Sequence, residues 1–410
     1  VTLLLRMAWR NLWRHARRTW LTVTAMIFSN VLLVFMIALQ FGTYDMMINN
    51  TLRAFSGHLQ IQAEGYQENQ RIRSSIPSMA DLARDTRSAL PSAGVSARAA
   101  AFALASSEER SYGIQVIGVE PEYEPTVSTL PGLLAQGRFL KDEMAPEIVI
   151  GAVMARNLKV TVGDEITLLG SGRDGSFAAA VMTVVGIFDT GMADMDRSIA
   201  EVPLPFFQEV FAMQGHGHQV VMALNDLDAL PAAMAAVLPL ADAREGLVVL
   251  DWVALNPGLK QAIQADMSSA WFMYGVLIVL VAFSVLNTQL MSVLERTREF
   301  GVISALGVRP RRLAALVMLE TTLMALLGLL IGLALGWLVT VYFHQAGFTY
   351  PGMEQAAERF NLPSRIYPSV TFSSILLGPT VVFVFCLLAS IYPALRLLRL
   401  RPVDAMRTVA

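Results

Sequence analysis

Charge is scarce in this sequence. Only 16% of its 410 residues are Asp, Glu, Lys or Arg and 54% are hydrophobic, whereas soluble domains are roughly 25% charged. That balance excludes an ordinary soluble protein and points to a membrane chain with a substantial soluble part. A net charge of −2 offers no basic surface for nucleic acid. The single cysteine, Cys386, sits in an apolar run and excludes an intrachain disulfide. Lysine is rarer still: Lys141, Lys159 and Lys260 are followed by Asp, Val and Gln. A phosphate-binding loop needs a lysine followed by Ser or Thr, so if ATP drives this protein, another polypeptide binds it. No GxSxG or HExxH pattern occurs, which leaves hydrolase chemistry without support. His216 and His218 lack neighbouring cysteines or carboxylates at ligand spacing and read as a loop, not a metal site. Gly170 to Gly175 matches the letters of a dinucleotide motif, but a strand follows it where a helix is required, so it reads as a hairpin loop.

What the sequence has is long apolar runs. Four, at about 20–41, 271–291, 313–343 and 370–395, reach the roughly twenty residues that span a hydrocarbon core. The first is too long for a signal-peptide core and reads as an uncleaved anchor. Arginine orients them. Residues 1–18, 295–312 and the tail from Arg396 hold 14 of the 31 basic residues, with three acids among them. The connections at 45–266 and 344–369 hold 17 basic residues diluted by 29 acids. The positive-inside rule then puts both termini and the central loop in the cytoplasm and the large domain outside. The segments follow as a cytoplasmic interfacial helix (1–18), a first span (19–44) and an external domain (45–256). After these come a stalk with the second span (257–294), a cytoplasmic loop (295–312), a third span (313–343), a short outer loop (344–369), a fourth span (370–395) and a tail (396–410).

Local patterns fill in this outline. Residues 3–18 carry Arg6, Arg10, Arg14 and Arg17 at helical spacing opposite Leu5, Trp9, Leu12 and Trp13, the mark of a helix lying at the membrane surface. Asn30, near the middle of the first span, and Gly328, Gly332 and Gly336, spaced four apart in the third, predict close helix packing, within the chain or against a second protomer. Glu320 lies about two turns inside the third span, where an acid is expensive, and is expected to form a polar clamp with an arginine or nearby hydroxyls. The external domain reads as mixed α/β. Alternation in 57–65 predicts a strand, 78–90 a helix, and 114–119, 147–150, 165–169 and 181–188 further strands. Alanine-rich 226–238 reads as a helix with Pro231 at its start or at a kink. Asn256-Pro257 starts a helix that runs without further proline to about Arg296. At 1.5 Å per residue it is roughly 60 Å long, about twice the hydrocarbon thickness, so its excess must project outward as a stalk. The loop that follows, 295–313, has its own punctuation: Gly307 can end one helix in the left-handed conformation and Pro310 can begin the next. The expected fold class is therefore a four-span α-helical membrane protein with a large mixed α/β extracytoplasmic domain between the first and second helices.

Four segments, AWRNLWRHARRT (8–19), IVIGAVMARNLKVTVGDEITL (148–168), ERTREFGVISALGVRPRRL (295–313) and SIYPALRLLRLRPVDAMR (390–407), together with this topology, resemble the FtsX-like permeases of ABC transporters, the MacB and LolC/LolE type. The resemblance implies that the loop helix docks on a cytoplasmic ABC ATPase dimer, with Glu295, Arg296, Glu299, Gly301, Ala305, Leu306 and Gly307 as the coupling stretch and ATP and Mg held by that partner. Two grooves on the ATPase imply two permease chains, identical or paralogous. Motion would pass up the stalk to the external domain, which acts on a lipoprotein, lipid or other hydrophobic substrate on the periplasmic side of the bacterial inner membrane. The chain itself would be no enzyme. Because the sequence begins directly with the anchor, the LolC/LolE type is the expected match, with a periplasmic carrier or adaptor as a further partner. The alternatives are an FtsX-like transmitter that activates a cell-wall hydrolase and a MacB-like efflux permease.

Overall fold

A computed structural model describes residues 2–14, 16–353 and 365–399. The predicted tail beyond Arg399 and part of the outer loop, 354–364, lie outside the described residues. The chain divides into two compact units, one made of Val1–Asp45, Ile263–Tyr350 and Arg365–Ala410, the other of Met46–Ala262 and Pro351–Ser364.

The first unit is helical. Among the described residues four helices are long and apolar enough to cross a membrane: Ala16–Thr51, continued by a π-type turn to Ser56, then Pro257–Glu295, Pro310–Ala346 and Phe372–Leu398, of which residues 46–56 and 257–262 count with the second unit. Their ends follow from local chemistry. Pro310 opens the third helix at its first turn, where no N–H partner is needed, and Thr371 and Ser374 form a capping box on the fourth. The second helix is unbroken for 39 residues. Of the N-terminal residues described, Thr2–Arg14 are helical and carry Arg6, Arg10 and Arg14, and Arg17 lies in the helical residues from Ala16 onward.

The first span is central to the packing. Met26, Leu33 and Ile37 meet Tyr274, Ile278, Val281 and Val285 of the second helix, with Ala325 of the third and Val382 and Cys386 of the fourth. The glycine stripe faces the first span of the same chain. A Cβ added at Gly328 would lie 2.7 Å from Met26 Cβ, at Gly332 2.6 Å from Asn30 Cβ and at Gly336 3.0 Å from Val34 Cβ. Gly332→Val should therefore force the two helices apart at a cost of about 1–3 kcal/mol or more. A drop of the thermal midpoint in detergent, followed by size-exclusion fluorescence, would show it; an unchanged midpoint would mean that the helices are not in contact there.

The second unit is built on a ten-stranded sheet in the order β10-β1-β9-β2-β3-β8-β5-β7-β4, with β6 pairing both β2 and β7. The strands are β1 Leu59–Ala63, β2 Gly94–Ser106, β3 Ser111–Val119, β4 Leu134–Gly137, β5 Glu147–Gly151, β6 Glu165–Ser171, β7 Phe177–Phe188, β8 Ile199–Pro203, β9 Gln219–Ala223 and β10 Leu247–Asp251. Because β6 joins β2 to β7, six strands close into a ring, β2-β3-β8-β5-β7-β6. One edge of β2 is shared: its first half pairs with β9 and its second with β6, which accounts for its length. Helices Met79–Ala89 and Leu230–Asp242 bury Met79, Leu82, Ala83, Ala233, Val237 and Ala241 in the same core as β1, β2 and β9. The GxGxxG look-alike is the β6–β7 hairpin, where Gly172 N–H donates to the Ser176 carbonyl and Gly175 has φ +89.

Two histidines are held neutral in this unit. His218 Nδ1 accepts from Ala100 N–H at 2.9 Å, its Nε2 lies 3.1 Å from the Ile72 carbonyl, and its ring stacks on Tyr66. Both nitrogens are thus occupied, and among the described residues no group of three metal-ligating side chains occurs. His58 is equally buried, with Leu224 N–H donating to Nδ1 and Asn49 beside Nε2. Burial lowers both from 6.5 to about 4. The unfolded chain binds these protons first, so the stability they contribute is complete above pH 6.5 and is lost as pH falls toward 4. The loss is at most about 1.4 kcal/mol per pH unit for each histidine. Thermal midpoints at pH 7 and pH 5 should show the decline, and equal midpoints would contradict it.

Candidate functional site

The loop helix, Thr297–Ala305, is held at both ends. At its C-terminus Gly307 takes φ +92, its N–H donates to the Ser304 carbonyl at 3.0 Å, and Val308 N–H reaches back to the Ile303 carbonyl at 3.3 Å. This is the double reverse bond of a Schellman turn, which fixes the direction in which the chain leaves. Phe300 is fully buried and packs with Val293, Leu313, Val317 and Leu397, while Ile303 and Val308 close over the same cluster. A short helix that would be marginal alone is therefore fastened to the second, third and fourth helices by its apolar face.

A polar clamp fastens its N-terminus. Arg296 Nη1 lies 3.1 Å from both carboxylate oxygens of Glu320, and Asn11 Nδ2 donates to Glu320 Oε1 at 2.7 Å. The Arg296 and Glu320 side chains are 11% and 7% exposed. Arg296 also reaches Glu299 at 3.4 Å and covers the Phe300 ring at 4.8 Å. Arg14 pairs with Glu299 at 3.3 Å, and Arg18 bridges Glu295 and Ser292, each at 2.7 Å. A cavity of about 20 Å³ among Asn11, Arg18, Ser292, Arg296 and Glu320 has room for one water. Arginine suits this position because its planar fork can satisfy a carboxylate that has left water.

The predicted coupling residues thus separate by environment. Arg296 and Gly301 face inward, and Glu295 and Glu299 are tied to the arginines of the N-terminal segment. Ala305, Leu306 and Gly307 are exposed, Leu306 at 81%. Asn30 is buried and donates to the Gly328 carbonyl at 3.2 Å. Sequence reasoning placed Arg14 in the surface-helix stripe without its partner Glu299, and did not single out Asn11, Arg18, Ser292 or Phe300. Asn11 alone left a trace, as a polar residue between Ala8 and Leu12 on the face of the N-terminal helix that is buried.

A loop helix clamped to three spans, with an apolar tip left bare, is what the family comparison addresses. The description of an FtsX-like permease C-terminal matches residues 271–402, and that of a MacB-like periplasmic core domain matches 19–240, more than half of the chain. The chain belongs to the FtsX-like, MacB-type permease family. It is similar to the lipoprotein-releasing system transmembrane protein LolC of Xylella fastidiosa (strain 9a5c), with 25% identity over 317 residues, covering 73% of this chain and 74% of LolC. It is also similar to the macrolide export ATP-binding/permease protein MacB of Shewanella sp. (strain ANA-3), with 24% identity over 426 residues, 98% of this chain and 60% of MacB. The periplasmic region of MacB from Actinobacillus actinomycetemcomitans aligns with 14% identity and a TM-score of 0.36, covering 51% of this chain and 92% of that one. The FtsX-like permease described here is accordingly an ABC transporter permease of the LolC/LolE/MacB type, an inner-membrane subunit with four apolar helices and a mixed α/β periplasmic domain between the first and second.

Proposed function

We propose that this permease converts ATP hydrolysis in a separate cytoplasmic ABC ATPase into movement of its periplasmic domain, and so extracts a lipoprotein, lipid or similar hydrophobic substrate from the outer leaflet. The observation that carries this reading is the bare leucine at the tip of an otherwise fastened helix: Leu306 is exposed while Phe300, Gly301 and Arg296 lock the helix beneath it. An exposed apolar side chain on a rigid support is what a groove in a partner takes up. The cytoplasmic placement of both termini and of the loop rests on the arginine bias. These 410 residues hold no lysine followed by Ser or Thr, and in this reading ATP and Mg are held outside them. Two copies, or this chain with a paralogue, would engage the two grooves of an ATPase dimer, and a periplasmic carrier or adaptor would receive the substrate.

Proteoliposomes holding the permease with a co-expressed ATPase should release a lipidated protein into the soluble fraction only when ATP is present. Gly307→Pro should abolish release, since proline cannot adopt φ +92 and would undo the turn. Release unaffected by this substitution would overturn the coupling assignment. The extended match to macrolide export proteins favours a second substrate class, which ATP-dependent macrolide transport in the same liposomes would reveal.

A further inference from the structure

The first span ends in the periplasmic domain in an unusual way. A helix leaves its last four carbonyls without intrahelical partners, and water normally takes them. Here the turn that closes the helix, Leu52–Ser56, has four successive carbonyls each taken by a group of the domain. Thr129 N–H donates to Arg53 O at 2.8 Å and Ser128 Oγ to Ala54 O at 3.1 Å. Arg98 Nη1 donates to Phe55 O at 2.5 Å and Gln60 Nε2 to Ser56 O at 2.6 Å. Gly57, at φ +67, then turns the chain into β1; a Cβ there would meet Val221 Cγ1 at 2.5 Å. The Ser56 hydroxyl also accepts from Asn256 Nδ2 at 3.1 Å, from the residue that precedes the second long helix. The chain's way into the domain and its way out are therefore tied at one residue.

Arg98 holds the centre of this arrangement. Its side chain is 1% exposed, it pairs through two nitrogens with the fully buried Glu124, and the Phe55 ring lies 4.7 Å from its guanidinium carbon. Ser96 Oγ gives Glu124 a further donor at 2.9 Å. A cation at the carbonyl end of a helix is also favoured by the helix dipole. Beside this satisfied pair stands a second carboxylate, Glu201 on β8, fully buried and with neither oxygen hydrogen-bonded among the described residues. The charges that act on it are Glu124 and Arg98, while its neighbours in register on β3 and β5, Ile117 and Val149, bring none. Burial first, then Glu124, raises Glu201 from 4.5 to about 8, so it stands protonated at neutral pH.

We propose that residues 53–56, keyed by Arg98, form the force-bearing joint between the first span and the periplasmic domain, and that ionisation of Glu201 loosens this joint by competing for Arg98. The force-bearing part rests on the ATP-driven reading above; the titration does not. Glu201→Gln keeps the shape of the protonated acid and removes the titration, and so separates the two.

The test uses the full chain in nanodiscs. Hydrogen exchange at the Gly57 and Thr129 amides, corrected for intrinsic rates, should lose roughly ten- to a hundredfold of its protection between pH 7 and pH 9, the range expected for one charge-assisted bond. Glu201→Gln should keep its protection across that range. An equal loss in both proteins, or none in either, would overturn the titration. ATP-driven release in the reconstituted complex should fall over the same interval in the parent and stay level in Glu201→Gln. Unchanged release alongside changed exchange would remove the force-bearing role. If no ATP-driven release occurs at any pH, the transport reading fails while the exchange result still decides the joint.

Discussion

Leu306→Asp should dissociate the permease from the proposed partner ATPase while leaving the permease folded. Leu306 is 81% exposed and, among the described residues, is not part of the Phe300 cluster, so its loss removes little internal packing. An apolar side chain that fills a partner's pocket is worth about 2–4 kcal/mol when removed, and a carboxylate adds the cost of burying an unpaired charge. Affinity should fall at least roughly a hundredfold, and ATP-driven release with it. The thermal midpoint of the isolated permease should stay within a degree or two of the parent, since surface changes usually lie within about 0.5 kcal/mol. Val302, exposed on the same helix at 46%, offers a second position with the same expectation in weaker form.

Arg296→Ala should have the opposite profile and damage the permease itself. It leaves Glu320, 7% exposed, with Asn11 as its remaining side-chain partner among the described residues. Removing one member of a buried pair typically costs about 3–5 kcal/mol, whereas replacing both by apolar groups of similar volume is often close to neutral. The double substitution Arg296→Met with Glu320→Leu should therefore recover most of the thermal stability lost in Arg296→Ala. If the single and double variants melt alike, Glu320 is not the partner that matters. The double variant is informative in a second way: a stable protein with poor ATP-driven release would separate the clamp's role in orienting the loop helix from its role in holding the fold.

The membrane half of the fold was legible because its signals are local. Span positions followed from composition, and the Gly307 turn and Pro310 start needed only a few neighbouring residues. Glu320 announced a partner by its cost, but not which one. Arg296 is 24 residues away and Asn11 309, and no periodicity connects them. In the periplasmic domain β1, β3, β5, β6 and β7 were found, whereas β4, β8, β9, β10 and, longest of all, β2 were not. Six of the thirteen residues of β2 are alanines, good helix formers that become strand residues only because β3, β6 and β9 pair with them. The alternation in β1 misled in another way: Gln60 and Gln62 are as buried as Leu59 and Ile61, because both faces of that strand are covered and Gln60 serves the Ser56 carbonyl. The joint at 53–56 could not be seen at all, since its donors come from positions 60, 98, 128 and 129.

Central to all of this is the passage of motion from the loop helix to the periplasmic domain. The most direct measurement is the distance between spin labels placed at Ser111, an exposed residue of β3, in the two permease copies of a reconstituted complex, with and without ATP. The parent should show an ATP-dependent change in that distance, and the Leu306→Asp complex, at the same ATP and ATPase concentrations, should show none. An equal change in both, or no change in the parent, would contradict coupling through the loop helix.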